Sequence, residues 1–181
     1  MKTGRLIAVV GPSGVGKDTV MAGLVAARPG LAVARRVITR AVELGGEQFD
    51  GVTEEAFAQA RDKGDFVLHW RAHGLLYGIP LSVTDTLGQG RDVLANVSRG
   101  VLKQADGLFA GLQVLYLTAS TDVLAARLAG RGRESVACMA ARLARPAEVM
   151  PPGLTVHTIS NDGPVAATVA AALAALYPES R

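Results

Sequence analysis

Cysteine is almost missing from this chain: Cys138 is the single one among 181 residues. A lone thiol excludes an internal disulfide framework and suits a reducing compartment. Aromatic residues reach only 4 % and include one tryptophan, Trp70. No stacking platform therefore accompanies the basic segment near the C-terminal third, which argues against a nucleic-acid binder. Charge of either sign is also modest, with a formal net charge of +3. That balance fits a binder of anionic metabolites. No apolar run approaches the ~20 residues of a membrane helix. The opening MKTGRLIAVVG passes into a glycine-rich loop, not into a small-residue cleavage site. The expectation is a soluble, cytoplasmic protein that uses no membrane. Repeats and low-complexity linkers are missing too, and the length predicts one domain over residues 1–181.

What the chain does have is small aliphatic side chains: 49 % of it is hydrophobic, with Ala and Val dominant. Four strand-length apolar runs stand out, Leu6–Val10, Val93–Val97, Val114–Leu117 and Val156–Ile159. None alternates with polar residues, as expected of parallel strands covered on both faces. Helical patterns follow them at Thr19–Ala27, Ser98–Ala105, Thr121–Ala129 and Pro164–Leu176. This rhythm predicts an α/β fold, a parallel sheet flanked by helices. Two stretches break it. Residues 39–87 hold a polar, glycine-bearing segment and a short helix with Thr53 as N-cap and Gly64 past its end. The strand-like DFVLHWRAHGLLYGIP comes next, and the whole reads as an insertion that carries substrate contacts. Residues 127–146 form an arginine-studded helical segment.

Between the first apolar run and the first helix stands GPSGVGKDT, residues 11–19. Gly11, Gly16 and Lys17 satisfy the phosphate-loop spacing, and strand and helix supply its context. Backbone N–H groups of Gly11, Pro12, Ser13, Gly14, Val15 and Gly16 (proline excepted, which has none) are expected to wrap the phosphates of ATP. Lys17 would bridge the terminal ones. One letter departs from the pattern. Asp18 stands where a serine or threonine is usual, and the hydroxyl follows at Thr19. Beside a triphosphate a carboxylate is repelled unless a cation lies between them. Mg²⁺ is commonly held by one or two carboxylates plus substrate phosphates. Asp18 is thus expected at the metal, with Thr19 supplying a hydroxyl. The competing reading is an acid placed favourably at a helix N-terminus.

In order along the chain, GPSGVGKDT, ITR…GGE, HG…YG, RLAGRGRES…RL and ISND resemble the guanylate-kinase-like enzymes. GPSGVGKD, VITR, LHWRAHGLLYGIP and NVSR are similar, more closely, to the branch that phosphorylates ribose 1,5-bisphosphate. The resemblance covers nearly the whole chain. It implies a P-loop kinase fold with an acceptor-binding lobe over about 39–87 and a lid over about 127–146. ATP and a sugar bisphosphate are the implied substrates, and Mg²⁺ the implied cofactor. The alternatives are a guanylate kinase and a non-catalytic binding module of the same family. The intact Gly11, Gly16 and Lys17 disfavour the second.

Departures from guanylate kinases bear on the first. The positions that read a guanine edge in those enzymes are Leu68 and Ile79 here, which can neither donate nor accept. The second arginine of the TRxxR clamp is absent, Val42, Glu43 and Leu44 running in its place, and Phe49 replaces a tyrosine. Arg40 remains. His69, Arg71, His73 and Tyr77 are the implied acceptor contacts, with Trp70 read as packing. Where the family has acids near the metal, this chain has Asn96 and Ser98, so Asp18 would be their relocated carboxylate. Arg99, next along, is a candidate for an acceptor phosphate. Arg131 and Arg142 match catalytic lid arginines and lie about three helical turns apart, with Arg127 and Arg145 extending the basic face. Asn161, in ISNDG, is implied to lie beside the adenine.

Overall fold

The computed structural model describes residues 3–40, 49–129 and 150–178. Its main layer is a five-stranded sheet. β1 (Leu6–Val10), β2 (Ala32–Val33), β7 (Val93–Asn96), β8 (Gln113–Thr118) and β9 (Thr155–Ser160) stand in the order β2-β7-β1-β8-β9. Every pairing is parallel. The unalternating apolar run has its cause in β1, which is buried throughout. Leu6, Ala8 and Val10 join one core, with Leu102, Ala105 and Phe109. Ile7 and Val9 join the other, with Val20, Leu24, Val169 and Ala172. Helices α1 (Lys17–Ala27) and α6 (Val165–Leu176) cover that second face, and α4 (Leu102–Leu108) supplies Leu102 and Ala105 to the first.

A second, four-stranded sheet occupies the predicted insertion. It contains β3 (Arg36–Ile38), β4 (Phe49–Gly51), β5 (Phe66–Ala72) and β6 (Leu75–Pro80) in the order β4-β3-β6-β5. It begins at Arg36, earlier than the sequence suggested, because β3 is too short to show a pattern. The strand-like stretch is in fact a hairpin, β5 pairing antiparallel with β6. It turns at His73 and Gly74, whose φ values of 51° and 76° are both positive. Tight two-residue hairpin turns need that conformation. Helix α2 (Glu54–Lys63) is capped as expected. The Thr53 side chain accepts from the Ala56 N–H at 3.2 Å, and Gly64 ends the helix at φ 80°. Its Phe57 packs against Phe66, ring centroids 4.6 Å apart.

Helices α3 (Val83–Gly88) and α5 (Thr121–Ala129) and a 3-10 turn at Arg99–Val101 complete the described elements. Along β5, Leu68 and Trp70 are buried while His69 and Arg71 are exposed. The buried pair, with Ile79, belongs to the same core as β1, Val97 and Val101. The inner face of the small sheet is therefore packed toward the main one.

Candidate active site

The loop after β1 has the backbone a phosphate cradle requires. Gly11, Gly14 and Gly16 have φ of 153°, 83° and 94°. At Gly11 a Cβ would collide with the Leu117 carbonyl, and at Gly16 it would come within 2.8 Å of Asn161 Nδ2. Side chains are excluded here by close neighbours as well as by φ. Gly16 is the N-cap of α1, so the first free N–H groups of that helix open into the loop. Lys17 Nζ donates to the carbonyls of Gly11 and Pro12 at 3.0 and 3.2 Å. The ammonium is thus folded back over the loop it would share with phosphate.

Behind the loop lies a support that sequence reading assigned differently. Asn161 is 1 % exposed. Its Nδ2 donates to the Val15 carbonyl at 2.7 Å, and its Oδ1 accepts from Thr168 at 2.7 Å. Arg127 donates to the same Val15 carbonyl at 3.2 Å and to the Asn161 carbonyl at 2.8 Å. The Asn161 side chain is turned inward to hold the phosphate loop. Arg127, read from sequence as one more arginine on a basic face, is its second brace. Contacts across 112 and 146 residues cannot be read from sequence spacing. Gly14, Gly16, Thr19, Arg127, Asn161 and Val165 line a cavity of about 210 Å³ beside the loop.

At the mouth, Asn96 Nδ2 donates to Asp18 Oδ1 at 3.2 Å. The end of β7 and the odd residue of the loop are thereby neighbours. Thr19 is exposed in the next position. Among the described residues no group of three or more His, Cys, Asp or Glu could hold a metal. One carboxylate beside a phosphate loop suits Mg²⁺, which keeps waters and phosphates as its other ligands.

The predicted acceptor residues separate. Tyr77 is on the inner face of the small sheet, opposite Trp70 in register, and the two rings stack at 5.3 Å and 8°. His69 and Arg71 emerge on the outer face, and His73 is exposed at the hairpin turn. Arg40 lies over the Phe49 ring at 4.4 Å. Its Nε is buried with no partner among the described residues. A buried donor left unpaired is unfavourable by about 1–3 kcal/mol, which a bound anion would relieve. Arg99 lies 6.0 Å from the centroid of Tyr116. Arg131 and Arg142 fall outside the described residues, as do Cys138, Arg145 and the Val42–Leu44 stretch.

A further polar cluster ties the outer end of the main sheet together, away from the loop. Asp92 accepts from Arg5 and from the Tyr177 hydroxyl, each at 2.7 Å. Burial pushes the Asp92 carboxyl up, but hydrogen bonds from Arg5 and Tyr177 and the charge of Arg5 together hold it below the usual range. Burial and the bond to Asp92 push the Tyr177 phenol up to about 12.

No family model matches the chain. It is 49 % identical over 177 residues to the ribose 1,5-bisphosphate phosphokinase PhnN of a Ruegeria species, spanning 97 % of this chain and 93 % of that one. The enzyme of the same name from Brucella melitensis is 45 % identical over 177 residues, spanning 96 % and 92 %. A guanylate kinase crystal structure from Anaplasma phagocytophilum superposes with a TM-score of 0.65 at 20 % identity, covering 93 % of this chain and 82 % of that one. That likeness establishes the P-loop kinase fold. The sequence relatives go further: by their identity over almost its full length, this chain belongs to the ribose 1,5-bisphosphate phosphokinase family.

Proposed function

We propose that the protein transfers the γ-phosphoryl group of ATP to the 1-phosphate of ribose 1,5-bisphosphate, releasing 5-phosphoribosyl 1-diphosphate and ADP. One observation carries the acceptor assignment. The lobe beside an intact phosphate loop turns Leu68 and Ile79, both 0 % exposed, toward the core, and neither could read a base.

An oxygen of the acceptor's 1-phosphate attacks the γ-phosphorus. A P–O bond to the acceptor forms as the β–γ bridging P–O bond breaks, and that electron pair leaves on ADP. The nucleophile is already an anion near neutral pH, so no general base is needed. What the reaction asks for is positioning and positive charge. Lys17 would exchange its loop carbonyls for β- and γ-phosphate oxygens. Arg40, whose buried Nε has no partner among the described residues, would take an acceptor phosphate. Arg99 would take another acceptor oxygen, and the Tyr77 hydroxyl would orient the sugar. Arg131 and Arg142 would neutralise charge spreading over the transferred group. On the outer rim, Arg71 with His69 and His73 would draw in the doubly phosphorylated sugar. Mg²⁺, held by Asp18 and Thr19, would offset the charge of the ATP phosphates. Asn161 and Arg127 act indirectly, by fixing the loop.

The assay incubates the protein with Mg-ATP and ribose 1,5-bisphosphate and detects the product with a coupled phosphoribosyltransferase. Product formation is expected. Its absence, with ATP bound and the fold intact, would sink the assignment.

A further inference from the structure

We propose that Trp70 sets the size of the acceptor. Its indole closes the space between the hairpin and the carboxyl edge of the main sheet, admitting a sugar phosphate and excluding a nucleotide's base. The inference rests on the acceptor assigned above.

Trp70 is the chain's single tryptophan. It is 8 % exposed, although its strand neighbours His69 and Arg71 are open to solvent. Two contacts fix the ring. Its face stacks on Tyr77, and its Nε1 donates to Ser98 Oγ at 2.9 Å. Ser98 lies just beyond β7, two residues after the Asn96 that meets Asp18, and it N-caps the turn bearing Arg99. One side chain thus spans from the small sheet to the strand end beside the phosphate loop. Ligands of open α/β sheets bind outside the carboxyl ends of the strands. A ring held at that edge takes its volume from the ligand's space.

The Arg36 guanidinium also lies over the Tyr77 ring, 5.3 Å from its centroid. Turning Trp70 aside would break both its stack on Tyr77 and its bond to Ser98. A buried indole N–H needs an acceptor, and here the acceptor is Ser98, just past the carboxyl end of β7.

The test compares wild type with Trp70→Ala, Trp70→Phe and Ser98→Ala, all as the full chain and each checked by a circular-dichroism melt. Calorimetry measures GMP binding, and steady-state kinetics give KM and kcat for ribose 1,5-bisphosphate and for ATP. Opening the space in Trp70→Ala should tighten GMP binding about tenfold or more, roughly one unit of 1.4 kcal/mol. The sugar KM should rise while the ATP KM holds. Trp70→Phe should show the same change at smaller size. Ser98→Ala should raise the sugar KM without admitting GMP. In wild type, ribose 1,5-bisphosphate should shift the emission of the lone tryptophan. A folded Trp70→Ala with wild-type preference between GMP and the sugar overturns the proposal. If that variant does not fold, wild-type preference in Trp70→Phe overturns it instead. A wild type inert toward the sugar would refute the acceptor assignment, whereas the GMP comparison reads Trp70 whatever the native acceptor is.

Discussion

The two sheets offer different kinds of group to an anion. Beside the five-stranded sheet, the phosphate cradle is main chain: glycine backbone, the start of α1 and a lysine folded over it. In the four-stranded sheet the candidate groups are side chains, and which ones face inward depends on strand register. Main-chain recognition is written as a spacing of glycines, with neighbours such as Asn161 holding the loop in place. Side-chain recognition on a strand reverses with a slip of one residue. Trp70 and Arg71 are adjacent in sequence and on opposite faces.

The sharpest way to break this comparison is to remove the side chain folded over the main-chain site, Lys17. Lys17→Ala should lower kcat by at least ~10²-fold, the scale of losing a preorganised charge stabiliser, while thermal stability holds. A variant with near-normal kcat would show that the loop alone suffices. On the acceptor side, Arg40→Ala should raise the KM for ribose 1,5-bisphosphate about 10–100-fold, the scale of a charge-assisted hydrogen bond. The ATP KM should stay close to wild type; an equal rise in both would make Arg40 a general electrostatic group.

Asp18 stands at the start of α1 and accepts from Asn96 at the end of β7. If its carboxylate serves the metal, Asp18→Ala raises the Mg²⁺ concentration for half-maximal rate several-fold. A helix-dipole role predicts unchanged Mg²⁺ dependence and a loss of only about 0.3–1 kcal/mol of stability. A Mg²⁺ titration at saturating ATP, run beside a melt, separates them.

The smallest effect should come from the Arg5–Asp92–Tyr177 cluster, which touches neither substrate. The Asp92 carboxyl lies below its usual range when folded. Its stabilising contribution is therefore present above the ordinary carboxylate range and is lost as pH falls through the lowered value. The Tyr177 phenol is raised from 10.0 to about 12. That contribution is complete below the unfolded value and is lost as pH rises toward 12. Melts across pH should show both flanks, and Asp92→Asn should flatten them. An unchanged profile would remove the cluster from the stability account.

The same contrast explains what could be read from sequence. Leu6–Val10 is β1 residue for residue, because a strand buried on both faces is a bare apolar run. Val93, Val114 and Val156 likewise mark β7, β8 and β9. Thr53 and Gly64 cap α2 where local chemistry put them. The small sheet was legible as an interruption but not as a sheet, since β3 and β4 span three residues each. The hairpin escaped notice because its turn uses His73, where asparagine or aspartate before glycine is the common signal. Trp70 was rightly read as packed, but its bond to Ser98 is a contact between elements 28 residues apart. Asn161 and Arg127 show the same limit: their residue types were evident and their partner, the Val15 carbonyl, was not.

The central claim is that this site phosphorylates a sugar phosphate and rejects a nucleotide. Supplying Mg-ATP with equal concentrations of ribose 1,5-bisphosphate and GMP, and following ³¹P resonances over time, tests it directly. The account predicts growth of the diphosphate signals of 5-phosphoribosyl 1-diphosphate while GMP stays unconverted. Conversion of GMP to GDP with the sugar bisphosphate untouched would contradict it.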